Sequence, residues 1–201
     1  EVNPGIGPWM RQVSSALTRG LVVTIDYGHE ARELYSSARN RGTLQTYFRH
    51  TEGSSPFQRI GSQDIATHVD FTTVISEGDR AGLRTIGLLT QADYLKGLGW
   101  TRMAEGLRGH ALSSYDRDAN LVALRELVKP EGLGGFKVLV QEKATGIGGL
   151  DDLIPLPDRT AGLETPIVSH EHAPLYAAKY PHQDPGLESL WPFGVEQPDD
   201  H

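Results

Sequence analysis

The residue types and spacing most suited to chemistry begin at Asp26 and Tyr27, which close the apolar run Leu21-Val22-Val23-Thr24-Ile25. Open α/β sheets present ligands at the carboxyl ends of their strands. An aspartate there could hold a guanidinium through paired, charge-assisted hydrogen bonds; it could equally cap the turn that Gly28 permits. His29, His50 and His68 follow, with Asp64 and Asp70 close by in sequence. An imidazole titrates near neutrality and could serve as a general base, or it could be an ordinary loop or core histidine. Asp70 reads as the N-cap of a helix before it reads as a catalyst. Arg41-Gly42-Thr43 reads as a turn whose arginine pairs locally. Further on, His170-Glu171-His172 with His182 and Asp184 has zinc-like spacing. Pro174 and Pro181 interrupt it, so no metal is expected. Ser169 lacks the strand-turn-helix setting of a nucleophilic serine.

These side chains need elements to carry them. Apolar residues at Trp9, Met10, Val13, Ala16 and Leu17 predict a helix over residues 9–19, ended by Gly20. The run at residues 21–25 predicts a strand buried on both faces, as in a covered parallel sheet. Residues 30–39 read as a short helix and 43–49 as an extended stretch, within a long Gly-, Ser- and Thr-rich excursion. Residues 71–81 form the next helix, 83–90 a second strand, 91–98 a short helix and 119–128 another. Residues 136–142 alternate, which suits an edge or antiparallel strand. Helices interleaved with strands indicate an α/β fold. Eight of the 12 prolines lie beyond Leu150, so residues 144–201 are expected to be an irregular tail after a domain over 1–143. Tyr176, Tyr180, Trp191 and Phe193 are expected to pack that tail against the body.

Composition narrows the function. A net charge of −7 over 201 residues argues against nucleic acid as the main partner. The absence of cysteine excludes disulfides and thiolate chemistry. No apolar run reaches the length of a membrane span. The opening Glu1-Val2-Asn3-Pro4 reads as the middle of a longer protein. Two glycine stretches, Pro4-Gly5-Ile6-Gly7-Pro8 and Gly146-Ile147-Gly148-Gly149, were candidates for a nucleotide-type loop. Neither stands between a buried strand and a helix, so both read as connectors.

Three blocks together resemble the second half of the MidA-like methyltransferases. They are Arg19-Gly20-Leu21-Val22-Val23-Thr24-Ile25-Asp26-Tyr27-Gly28; then Arg41-Gly42-Thr43-Leu44, Tyr47, His50, Pro56, Gly61, Gln63-Asp64-Ile65 and His68-Val69-Asp70-Phe71-Thr72; then Gly82-Leu83, Gly87, Thr90-Gln91-Ala92, Tyr94-Leu95, Gly99 and Phe136-Lys137-Val138-Leu139. The family includes bacterial proteins and a mitochondrial arginine methyltransferase needed for respiratory complex I assembly. The resemblance covers about residues 1–143. It implies strands five to seven of a Rossmann-like class I sheet, the seventh antiparallel, and S-adenosyl-L-methionine (SAM) as cofactor. The SAM loop and the acidic ribose ligand of the family have no counterpart here, so this chain alone is expected to bind SAM weakly or not at all. The implied activity is methylation of an arginine on a partner protein, with this chain as the substrate-side half and an N-terminal half as its complement. The alternative is a non-catalytic interaction or assembly module. Within the first block or next to it, Asp26, Tyr27 and His29 are the candidate catalytic residues. Arg41, Thr43, His50, Asp64, His68, Asp70 and Gln91 are the candidate substrate-binding residues. The implied location is the bacterial cytoplasm, or the mitochondrial matrix in a eukaryote.

Overall fold

The computed structural model describes residues 1–49, 51–53, 55–154 and 165–167. The first helix, α1 (Ile6–Ala16), starts three residues earlier than its apolar pattern predicts. Pro8 therefore lies inside its first turn, where a backbone N–H would have no intrahelical acceptor and its loss is harmless. Ile6, Met10 and Ser14 recur every four residues and form its buried stripe. After β1 (Gly20–Asp26) the chain makes the long excursion. It contains β2 (Gly28–His29), α2 (Ala31–Leu34), β3 (Gln45–Phe48), β4 (Thr51–Gly53), β5 (Asp64–Ala66) and β6 (Val69–Asp70). The helix read over residues 30–39 is only α2 followed by a single 3-10 turn at Ser37–Arg39.

The chain then runs through α3 (Phe71–Arg80), β7 (Arg84–Thr90), α4 (Gln91–Gly97), α5 (Trp100–Gly106), α6 (Ser114–Leu127) and β8 (Lys137–Lys143). Helix α5 has no counterpart in the sequence reading. Helix α6 begins five residues before its apolar stretch, because the Ser113 hydroxyl accepts from the Asp116 N–H and caps it.

The main sheet has the order β1–β8–β7, with β8 antiparallel to both neighbours. Its register runs from Gly20 opposite Lys143 to Asp26 opposite Lys137, and from Arg84 opposite Glu142 to Thr90 opposite Lys137. A bulge between Thr85 and Gly87 interrupts the second ladder. Strand β8 is antiparallel but central, not an edge, and Val138, Leu139, Val140 and Gln141 are buried on both its faces. Strand β1, read as doubly buried, is half-buried on one face while Leu21, Val23 and Ile25 are exposed on the other. Alternation in sequence cannot tell which strand a neighbour will cover.

Helices α1 and α3 cover one face of this sheet, and Ile6, Met10, Phe71, Val74, Leu83 and Leu139 make the core between them. Two smaller sheets branch from the excursion. β3 lies between β4 and β5, antiparallel to both, and β2 pairs in parallel with β6. Beyond residue 143, Leu150 packs against Gly87 and Ile154 against Gly97, while the Thr165 hydroxyl donates to the Met103 carbonyl at 3.2 Å. The four tail aromatics and the His170, Glu171, His172, His182 and Asp184 group lie outside the described residues. Among the described residues no helix is long and apolar enough to cross a membrane.

Candidate functional site

The excursion leaves the sheet at the carboxyl end of β1 and returns to the same place before α3 starts. Two contacts close this loop. The Val69 N–H donates to the Tyr27 carbonyl at 3.0 Å, and Gly28 and His29 pair in parallel with Val69 and Asp70. A methyl group at Gly28 would stand 2.2 Å from the Val69 carbonyl oxygen, so this close approach requires glycine. The result is a cleft of about 460 Å³ whose lining includes Glu1, Thr24, Asp26, Tyr35, His68 and Asp70. Segments from four parts of the chain therefore meet at one strand end.

Each side chain has a definite setting. The Asp26 carboxylate accepts from the Tyr27 N–H at 2.8 Å, so it caps the turn and faces the cleft together. Tyr27 sits with its ring edge-on to both His68 and Phe136, each at 5.6 Å between centroids. His68 is half-buried, and its Nδ1 is buried with no hydrogen-bond partner among the described residues. Burial, reinforced by the charges of His29 and Arg39, holds its pKa below the ordinary imidazole value. His68 thus favours the neutral form, in which one ring nitrogen is a free acceptor.

The His29 ring lies 5.1 Å from that of His68, and its Nδ1 is 3.0 Å from the Glu33 carboxylate. Burial alone would raise the Glu33 pKa, but the bond to His29 and the charges of His29 and Arg39 bring it below the usual range. Asp70 caps α3 through the Thr73 N–H at 3.2 Å and also accepts from the Thr73 hydroxyl at 2.7 Å. The Tyr35 hydroxyl reaches the same carboxylate at 3.2 Å. Burial first, then the charge of Asp70, raises the Tyr35 pKa.

The remaining candidates separate from this group. Thr43 is buried behind the cleft, where its hydroxyl accepts from the His68 N–H at 3.0 Å. Arg41 is exposed on the turn before β3, and Asp64 is exposed on β5 opposite Tyr47; neither lines the cleft. The short three-stranded sheet carries Asp64 away on its solvent side. Gln91 does not line the cleft: its side-chain amide donates to the Leu127 carbonyl at 2.9 Å and ties α4 to the end of α6. His50 lies outside the described residues. Sequence reasoning missed Glu1, Tyr35 and Thr73. A short-range capping signal pointed to Asp70, and Thr73 at the third position after it was legible. Glu1 and Tyr35 join through contacts that span 34 to 43 residues, which no local pattern encodes.

Chemically, the cleft gathers three carboxylates (Glu1, Asp26 and Asp70), a phenol and an imidazole kept neutral. Such a wall attracts a cation and can accept a proton. Among the described residues no cluster of His, Asp or Glu could hold a metal ion. The two glycine stretches do not fit a nucleotide-type loop. Gly5 is the N-cap of α1, and Gly7 packs against Glu77 of α3, where a methyl group would meet the Glu77 carboxylate at 2.8 Å. At the other stretch the Ile147 and Gly148 carbonyls accept from Arg84, and the Gly148 and Gly149 N–H groups donate to Asp152. Their donors are already spent within the chain.

Residues 1–89 match the model of a family described as "Putative S-adenosyl-L-methionine-dependent methyltransferase". Two solved structures from Burkholderia thailandensis, both described as members of one superfamily, are similar to the chain. The first is an uncharacterized protein, 30% identical with a TM-score of 0.66, and the match covers 75% of this chain and 40% of that one. The second is described as a "likely methyl transferase" bound to S-adenosyl-homocysteine; it is 30% identical with a TM-score of 0.63, and the match covers 73% and 38% of the two chains. This chain therefore spans about 40% of the length of the solved structures it matches. No curated protein matches the chain.

Proposed function

We propose that this chain is the acceptor-side part of a SAM-dependent methyltransferase of the MidA-like kind, corresponding to the C-terminal half of that fold, and that it receives a protein arginine. The carrying observation is the convergence of Asp26, His68 and Asp70 on one cleft at the carboxyl end of β1. An arginine enters the site protonated, so carboxylates favour its binding. Asp26 and Asp70 hold the guanidinium, and His68, kept neutral by burial, takes the proton released on methylation. The match of residues 1–89 and the relative bound to S-adenosyl-homocysteine support SAM as methyl donor. Because neither glycine stretch fits, the residues that hold SAM lie outside this chain.

The sheet supports the same division. An antiparallel β8 between β1 and β7 is the pattern of the last three strands of a Rossmann-like class I methyltransferase. Strand β1 pairs on one side only among the described residues, and it exposes Leu21, Val23 and Ile25. The donor half would extend the sheet from that edge and cover that face. Residues 1–143 form this domain part, and 144–201 follow as its tail. A second reading, a non-catalytic module that completes another protein's sheet, draws on the same exposed edge.

The test is methyl transfer from labelled SAM to arginine-containing protein, with the full reading frame that encodes this chain. Asp26→Asn should lower transfer by about 10²-fold or more, the scale of a lost charge-assisted contact in a transition state, while folding is nearly unchanged. Undiminished transfer by Asp26→Asn would remove Asp26 from the mechanism. No transfer by the parent protein, with the fold intact, would favour the module.

A further inference from the structure

One carboxylate in the cleft has a different pattern of partners from the others. Glu1 accepts from the Thr43 N–H at 3.0 Å, from the Leu44 N–H at 3.1 Å and from the Thr43 hydroxyl at 3.4 Å. These donors, the Thr43 N–H foremost, hold its carboxyl pKa below the usual range, so Glu1 is a carboxylate at neutral pH. The turn is shaped to admit it. Gly42 adopts φ +76°, and a methyl group there would stand 2.3 Å from a Glu1 carboxylate oxygen. Thr43 passes the connection inward, because its hydroxyl also accepts from the His68 N–H at 3.0 Å. The Glu1 main-chain carbonyl accepts from the Tyr35 hydroxyl at 3.3 Å, and that hydroxyl reaches Asp70 at 3.2 Å. One residue thus touches both the support of His68 and the support of Asp70.

We propose that Glu1 is a positioning residue of the acceptor cleft, which seats His68 against Tyr27 by anchoring the Gly42-Thr43-Leu44 turn and thereby sets the affinity for a guanidinium. The physical case is one of missing alternatives. The turn lies between α2 and β3 with no ladder of its own at residues 42–44, so its backbone donors need an acceptor. A carboxylate with two acceptor oxygens can serve two adjacent N–H groups and a hydroxyl together. A glutamine would offer one oxygen and turn an N–H group toward donors. The inference rests on the reading of the cleft as an acceptor site, but the placement of His68 can be tested without any methyl transfer.

The experiment is nuclear magnetic resonance on the 201-residue chain, with the His68 ring assigned through His68→Gln. Glu1→Gln should speed amide exchange at Thr43, Leu44 and His68 by about tenfold each, the scale of one ordinary hydrogen bond. It should also move the His68 ring resonances in the direction that Tyr27→Leu moves them. Thr43→Val, which leaves the Glu1 charge intact, should reproduce the His68 changes without the change at Leu44. Both variants should weaken binding of acetyl-arginine amide several-fold, and the uncharged swap separates placement from the loss of a negative charge. Faster exchange at Thr43 and Leu44 with an unmoved His68 amide and ring would overturn the proposal, because Glu1 would then be a local fastener only. If the unaltered chain fails to bind acetyl-arginine amide, the arginine reading falls, and the exchange and ring data still decide the role of Glu1.

Discussion

Strands β1 and β8 lie side by side in one sheet, with every residue from Gly20 to Asp26 in register with β8. Val138, Leu139 and Val140 are at most 1% exposed, whereas Leu21, Val23 and Ile25 are 38–50% exposed. The two strands have similar apolar content, so composition does not explain the difference. Strand β8 has a partner on each edge, and α1 and α3 lie over one of its faces through Leu139. Strand β1 has one strand partner and one unfilled face among the described residues. Apolar residues that a folded chain leaves in water are a surface waiting for cover. The carboxyl end of β1 therefore lines the cleft through Thr24 and Asp26 while its other face, with Leu21, Val23 and Ile25, stands exposed; under the proposed function, acceptor binding and assembly with a donor half would meet at this one strand.

The sharpest way to break the comparison is to truncate one side chain in each strand. Leu139→Ala should cost about 2–5 kcal/mol, the range for a core leucine with a poorly filled cavity. Val23→Ala should cost about 1 kcal/mol or less in this chain, because little is buried there. Chemical denaturation of both variants checks this. A Val23→Ala loss as large as that of Leu139→Ala would mean that the outer face of β1 is already covered. Between these lies Asp70→Ala, expected to cost about 1 kcal/mol through loss of the α3 cap. It should also release Tyr35, whose hydroxyl would then titrate nearer its ordinary value in ultraviolet absorbance.

A smaller effect depends on pH. The folded chain holds His68 below its unfolded pKa, so the unfolded state binds that proton more readily. This part of the stability is present above the unfolded imidazole pKa of about 6.5 and declines as pH falls through it. Thermal melting at pH 7.5 and 5.5 should show a drop that is shallower in His68→Gln. An equal drop in both proteins would place the sensitivity elsewhere.

Much of the scaffold was legible in the sequence because its signals are local. Asp70 followed by an apolar stripe gave α3 and its cap, and the run at residues 21–25 gave β1. The order of β7 and β8 in the sheet, and the exposure of β1, were not legible, since they depend on which strand lies beside which. The cleft was legible in part. Asp26, His68 and Asp70 meet because an excursion must return to the edge that it leaves. Gln91 stands apart from the cleft, and its side-chain amide instead ties α4 to the end of α6, a long-range contact with no local signal. Glu1 had no local signal at all, as its partners begin at Tyr35.

The proposed function divides the labour, with the acceptor wall in these residues and the SAM-holding loop outside them. Isothermal titration calorimetry of the 201-residue chain with SAM and with S-adenosyl-homocysteine tests it most directly. No binding heat is expected at micromolar concentrations for either compound, because Gly148 and Gly149 already donate to Asp152 and Gly7 is packed against Glu77. Micromolar affinity for either one would contradict the division and would require a SAM pocket built within this chain.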